Sequence, residues 1–310
     1  MTLSLDPELA AVSAGGTSSE PLVPGDWKTW RDAVATVYPL LTAGLDRPDV
    51  AHRVRTATAA DGTRIDLHWF APADTIGTTA AVVHAHGGAL VAGQVTHFAP
   101  FIARYVAEAG VPFLSVEYRL APEASGSTPA DDVFLGLTWL REHAGELGVD
   151  PARIAVMGES AGGTLAAATA IRARTEGIPL ARQILVYPVL DNREVAPDPE
   201  LLPFSADLYT LKITQWRSLL GDAWSGDAPA TIVPARLDDH AGLAPAYVEV
   251  GELDALRDEA VAYAGRLWSA GVSAELHVLP GLTHGWDHIA PSIGIHAGVH
   301  ARRVAVLRSL

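Results

Sequence analysis

At 310 residues the chain can bury one large core with an elaboration on it, and 49% hydrophobic residues exclude a disordered polypeptide. A formal net charge of −14 argues against nucleic acid or an anionic membrane surface as partner, since both need basic patches. The absence of cysteine excludes a disulfide framework, a thiol nucleophile and cysteine metal sites.

The segment from Met1 to Glu8 has neither a basic start nor an apolar run, and no apolar stretch approaches membrane-spanning length. The expectation is a soluble, cytoplasmic protein without a membrane partner. Leu5, Leu9 and Val12 fall at near-helical spacing before Gly15-Gly16-Thr17-Ser18-Ser19 breaks the pattern. Trp27, Trp30, Val34, Val37, Tyr38 and Leu41 make a second helical stripe that ends around Gly44. From Val50 the pattern turns to strands. Thr63 to Phe70 alternates with period two, as a half-buried antiparallel strand does. Ala80–His84 and Val111–Val116 are short continuous apolar runs, as expected of strands covered on both faces, with a helix over Phe98–Ala109 between them.

A helix near Asp131–His143, a strand over Arg153–Met157, a helix from Thr164 to Arg174 and a strand over Gln183–Tyr187 follow. Later strands are Ala246–Val250 and Ala274–Leu279, separated by a helix over Arg257–Ala270, and the last helix covers His296–Leu307. Strand alternating with helix predicts a mostly parallel central sheet with helices on both faces, and ligands bind at the carboxyl ends of such strands. Residues 191–243 interrupt the alternation with Pro-rich turns and an amphipathic piece, Leu208–Leu220, that carries Trp216. They are expected to fold with residues 1–45 as a helical cap over a core built from residues 46–190 and 244–310. The spacing is equally compatible with N-terminal helices that simply pack on the core.

The chemistry centres on Gly158-Glu159-Ser160-Ala161-Gly162-Gly163, a G-x-S-x-G pattern between an apolar strand and an alanine-rich helix. A serine at that apex takes a strained conformation, and glycines two residues to either side remove the Cβ atoms that would clash. A serine hydroxyl is a weak nucleophile and needs a base, which in turn needs an orienting partner. His284 lies in a loop after the Ala274–Leu279 strand, flanked by Gly281 and Gly285, and is free to reach inward. Asp254 leaves the Ala246–Val250 strand ahead of a helix; Glu252, Asp258 and Glu259 compete by proximity, and Asp254 is preferred for its place before the helix and before His284. His284 and His288 have His-x-x-x-His spacing but no third ligand at suitable spacing, so no metal is expected. After the Ala80–His84 strand comes His84-Ala85-His86-Gly87-Gly88-Ala89. Here glycines replace the acidic continuation of a metal-hydrolase motif, and the better reading is an oxyanion loop in which Gly87, Gly88 and Ala161 offer their N–H groups and His86 helps hold the loop.

Taken together, His86-Gly-Gly-Ala89, Tyr118-Arg-Leu-Ala-Pro-Glu123, Gly158-Glu-Ser-Ala-Gly-Gly163, Asp254-Ala-Leu-Arg-Asp-Glu259 and Pro280-Gly-Leu-Thr-His284-Gly resemble the α/β-hydrolase fold, and within it the bacterial hormone-sensitive-lipase-like carboxylesterases. The match runs from about residue 60 to 290. The resemblance implies Ser160, Asp254 and His284 as a catalytic triad, Gly87, Gly88 and Ala161 as the oxyanion hole, and a cap over the site. It implies short-to-medium acyl esters as small-molecule substrates, no cofactor, and a homodimer as in similar esterases. The chain departs from the pattern at Ala89 for glycine, Glu159 for aspartate, Thr164 for asparagine and Trp286 for phenylalanine. Arg119 and Glu123 read as structural ion-pair formers. A cap rich in Trp27, Trp30, Trp216 and Trp224 suggests a closed apolar pocket, and Ala89, Trp216 and Trp286 are the expected substrate contacts. A non-catalytic binding protein on the same fold, or an amidase, lactonase or acyltransferase with the same triad, are the alternatives.

Overall fold

The computed structural model describes residues 3–14, 21–45, 47–74 and 77–310; the break expected at Gly15–Ser19 lies outside them. Helices α1 (Pro7–Ala14) and α2 (Trp27–Leu41) precede strands β1 (Val50–Thr58), β2 (Arg64–Pro72) and β3 (Thr79–Ala85). Then follow α3 (Val95–Ala109), β4 (Phe113–Val116), α4 (Thr128–Glu142), α5 (Ala144–Leu147), β5 (Val149–Glu159), α6 (Ala161–Thr175) and β6 (Arg182–Val186). The chain continues with α7 (Leu202–Leu220), β7 (Ala246–Gly251), α8 (Arg257–Ser269), β8 (Ala274–Leu279), α9 (Trp286–Ile289) and α10 (Gly294–Arg308).

The strands form one eight-stranded sheet in the order β1-β2-β4-β3-β5-β6-β7-β8. Only the β1–β2 and β2–β4 pairings are antiparallel, so the sheet is parallel from β4 through β8. The helices that connect the parallel strands pack against the sheet. The pair α3 and α10 and the pair α4 and α6 cover its two faces. The double cover explains why β3, β6 and β7 are mostly apolar and buried, with residues such as Val82, Leu185 and Val248 fully buried. The edge strand β8 is paired on one side alone and is less buried than β7, with Val278 exposed.

The two N-terminal helices go to different places. Leu9 of α1 joins a separate cluster with Leu279, Leu282, Trp286, Ile293 and Val299, and the Asp6 N–H donates to the Gly281 carbonyl at 2.9 Å. Helix α1 therefore braces the loop that leads to His284. Helix α2 packs instead on α3 and α7. Within residues 191–243, α7 begins six residues earlier than the stripe Leu208–Leu220 suggests, and it kinks at Ser205, whose hydroxyl donates to the Leu253 carbonyl at 2.5 Å. That bond ties α7 to the loop that carries Asp254.

Candidate active site

The sharp turn between β5 and α6 sets the site. Ser160 has φ +56° and ψ −120°, a conformation that side chains rarely adopt. The close approach that this turn requires leaves no space on its flanks. A Cβ on Gly158 would collide with the Gly162 carbonyl group, and one on Gly162 would enter the Ala85 carbonyl. The Ser160 N–H donates to the Val186 carbonyl and its own carbonyl accepts from Gly163, at 2.9 Å each. The serine is thus held at the carboxyl end of the central strand, with Oγ pointing away from the sheet.

Two loops deliver its partners. The His284 ring sits 2.8 Å from Ser160 Oγ through Nε2 and 2.8 Å from Asp254 Oδ2 through Nδ1. An ionised carboxylate only accepts, so the proton of the neutral ring belongs on Nδ1 and Nε2 is free to accept from the serine hydroxyl. Asp254 is fully buried, and its other oxygen accepts from the Leu256 N–H at 2.8 Å. The competing carboxylates lie elsewhere. Glu252 accepts from Gly281, Asp258 pairs with Arg257, and Glu259 pairs with Lys212 and the Leu190 N–H.

On the other side of Ser160, Gly87 and Gly88 follow β3. A Cβ on Gly87 would stand 3.2 Å from the Glu159 carbonyl and 3.4 Å from Ser160 Cβ, so this backbone passes directly beside the serine. Gly88 has φ +126°, a region effectively closed to other residues. Among the described residues, the N–H groups of Gly87, Gly88 and Ala161 have no backbone acceptor, and Ala161 stands at the N-terminus of α6, where such groups are left over. Ala89 and Leu90 also have positive φ, +56° and +57°. The left-handed turn at position 89 is the physical reason glycine is usual there.

His86 is fully buried, stacks on Tyr118 and Phe98, and faces the Gly87 carbonyl through Nδ1 at 2.7 Å. Burial pushes its pKa down to about 3, so it stays neutral and acts as a strut for the loop. His84 spans Ser115 Oγ at 2.8 Å and Glu159 Oε2 at 2.9 Å. Burial raises the Glu159 pKa, but the charge and hydrogen bond of His84, followed by His288 and Arg303, outweigh it and leave the carboxyl below its ordinary range.

A model of the alpha/beta hydrolase fold family matches residues 82–288. The ethyl acetate hydrolase of Pseudomonas putida is 31% identical over 303 residues, 91% of this chain and 92% of that protein. The carboxylesterase NlhH of Mycobacterium tuberculosis is 32% identical over 84% of this chain and 83% of its own length. The solved structure of a bacterial heroin esterase superposes with a TM-score of 0.89 at 34% identity, covering 99% of this chain and 98% of that one. The chain belongs to the α/β-hydrolase family, among the hormone-sensitive-lipase-like carboxylesterases.

In this esterase a cavity of about 230 Å³ opens onto Ser160 and His284. Helix α2 contributes Trp30, Val34 and Tyr38, and helix α7 contributes Leu208, Leu211, Lys212 and Gln215, a helical face at i, i+3, i+4 and i+7. Ala89 is among its lining residues. Trp216 and Trp286 are not, which corrects the expectation for both. Trp216 is one position past the cavity face of α7 and fully buried in the main core, while Trp286 turns from Gly285 into the cluster around Leu282 and Val299. Of the four tryptophans expected in a cap, Trp30 alone lines the cavity among the described residues; Trp27 lies under the Arg31 guanidinium at 4.4 Å and Trp224 is core.

Sequence reasoning missed three contributors. Tyr38 reaches His288 Nδ1 at 3.2 Å across the cavity wall, Glu159 lines the cavity, and Tyr187 meets the His284 ring edge-to-face at 4.7 Å. Only Tyr38 carried a signal, its place on the α2 stripe. Arg119 and Glu123 form ion pairs, Arg119 with Asp132 and Asp61, and Glu123 with Arg31 of α2. Among the described residues no helix is long and apolar enough to cross a membrane.

Proposed function

We propose that this carboxylesterase hydrolyses short-to-medium acyl esters through an acyl-enzyme on Ser160, under a cap formed by α2 and α7. The observation that carries the reading is the relay of 2.8 Å contacts from Asp254 through His284 to Ser160, with unpaired amides on the serine's far side. Ser160 Oγ attacks the ester carbonyl as His284 Nε2 takes its proton, and Asp254 orients the ring and stabilises the imidazolium. The N–H groups of Gly87, Gly88 and Ala161 receive the charge that develops on the carbonyl oxygen. His284 returns the proton to the departing alcohol; water then repeats the sequence and frees the acid.

The apolar lining from Trp30, Val34, Leu208 and Leu211 suits an uncharged acyl or alcohol group. The relative named for ethyl acetate supports a small acyl group. Ser160→Ala is expected to lower kcat on p-nitrophenyl esters by about 10⁶-fold. Retained turnover in that variant would overturn the assignment, and a rate maximum at long acyl chains would overturn the substrate range.

A further inference from the structure

Behind the His284 ring lies a buried chain of phenolic and charged groups that the ester chemistry leaves unused. Tyr187 immediately follows β6, is almost fully buried, and donates from its hydroxyl to Asp287 Oδ1 at 2.9 Å. Asp287 Oδ2 accepts from Arg303 at 2.6 Å, and Arg303 also donates to Tyr105 at 2.9 Å and to Glu249 at 2.5 Å. Asp287, Arg303 and Glu249 are each no more than 3% exposed. A buried ion cluster of this kind is weak evidence for stability, because removing the charges from water costs about what their attraction returns. Its placement is more informative. One of the phenols that it fixes, Tyr187, stands edge-to-face against the imidazole, with ring centroids 4.7 Å apart and planes at 64°. Tyr187 also has φ +37°, strain that a non-glycine residue keeps only where its surroundings over-determine it.

We propose that Tyr187 is a positioning residue for His284: its ring, locked by the hydroxyl's bond to Asp287, holds the imidazole in line with Ser160 and stabilises the imidazolium formed during turnover. This rests on the reading of Ser160 and His284 given above. Burial, then the Asp287 charge, raises the Tyr187 pKa well above its ordinary value, so the phenol remains the donor. A phenol that donates to a carboxylate gains electron density in its ring, and an electron-rich ring attracts an adjacent cation. Among the described residues, four groups face His284: Asp254 from the loop after β7, Ser160 from the end of β5, Tyr187 from the end of β6, and His288 from α9. Burial lowers the pKa of His288, so its own positive charge is disfavoured. Glu159 and Asp287 add negative charge close by, and Asp287 is held ionised mainly by Arg303 against the cost of burial.

The test is Tyr187→Phe, which keeps the ring and removes the hydroxyl. With p-nitrophenyl acetate, kcat is expected to fall about threefold with KM little changed. The acid limb of kcat/KM should move down by about half a pH unit, because the imidazolium has lost stabilisation. Asp287→Asn should move the limb the same way and carries the test should Tyr187→Phe not fold. A downward shift supports the proposal. A limb that coincides with that of the parent enzyme, or moves up, overturns it whatever happens to Tm or kcat, because a merely structural residue would not titrate the histidine. Retained activity in Ser160→Ala would instead overturn the underlying mechanism, so the two failures are distinguishable.

Discussion

Ala89 illustrates how one methyl group can be neutral for folding and consequential for the cavity. Its φ of +56° places an L-residue where a Cβ costs about 1 kcal/mol, so Ala89→Gly relieves strain. Glycine gives back a similar amount, about 0.5–1 kcal/mol, through the entropy of the unfolded chain. Thermal stability is therefore expected to change little. The variant also removes a methyl from the cavity lining, so kcat/KM for branched-alcohol esters should rise relative to ethyl esters. An unchanged ratio would show that Ala89 does not limit the space. At this scale much of the site was legible, because some residues are forced by local backbone geometry. Gly158 and Gly162 read as glycines needed beside a tight turn, and each is packed where a Cβ has no room. Trp216 and Trp286 were misread because a large aromatic side chain satisfies a core and a pocket wall equally well, and neither side chain's direction is written in its spacing.

At the scale of elements, one side chain of α2, Arg31, ties the helix to the loops beside the site. Arg31 donates to the Val91 and Ala121 carbonyls and to both Glu123 oxygens, and these carbonyls flank the loop of Gly87 and Gly88. The exposed Arg31–Glu123 pair contributes little by itself, since exposed ion pairs are worth about 0–1 kcal/mol. The two carbonyl bonds are less exposed and carry most of the attachment. Arg31→Met is expected to cost about 2 kcal/mol of stability in urea denaturation and to lower kcat as the loop loosens. A variant with the parent's midpoint and kcat would show that α2 is held by its apolar face alone. The helical stripe of α2 was visible in the sequence, whereas its anchor was not. Arg31 and Glu123 are 92 residues apart, and nothing local links them.

For the whole molecule, the buried histidines determine the response to acid. Burial pushes His86 down to about 3 and both His296 and His300 down to about 4. Their unfolded value is about 6.5, so between pH 6.5 and 4 the unfolded chain takes up protons that the folded chain does not. Stability from these groups is full above pH 6.5 and is lost as pH falls. Glu117 and Glu259, raised by burial, oppose this but are outnumbered. The urea midpoint should fall steadily between pH 7 and 4.5, and a flat or rising midpoint would contradict it.

The sequence by itself determined the alternation of strand and helix, the strained serine turn and the glycines of the opposing loop, because each follows from backbone sterics and burial within a few residues. Only the tertiary structure decided that α1 braces the His284 loop while α2 joins α7 at the cavity, which tryptophans face it, and that Tyr187, Asp287 and Arg303 stand behind the imidazole. Those contacts join segments far apart in the chain, the Tyr187–Asp287 bond alone spanning 100 positions, and no local periodicity encodes which distant face a side chain will meet.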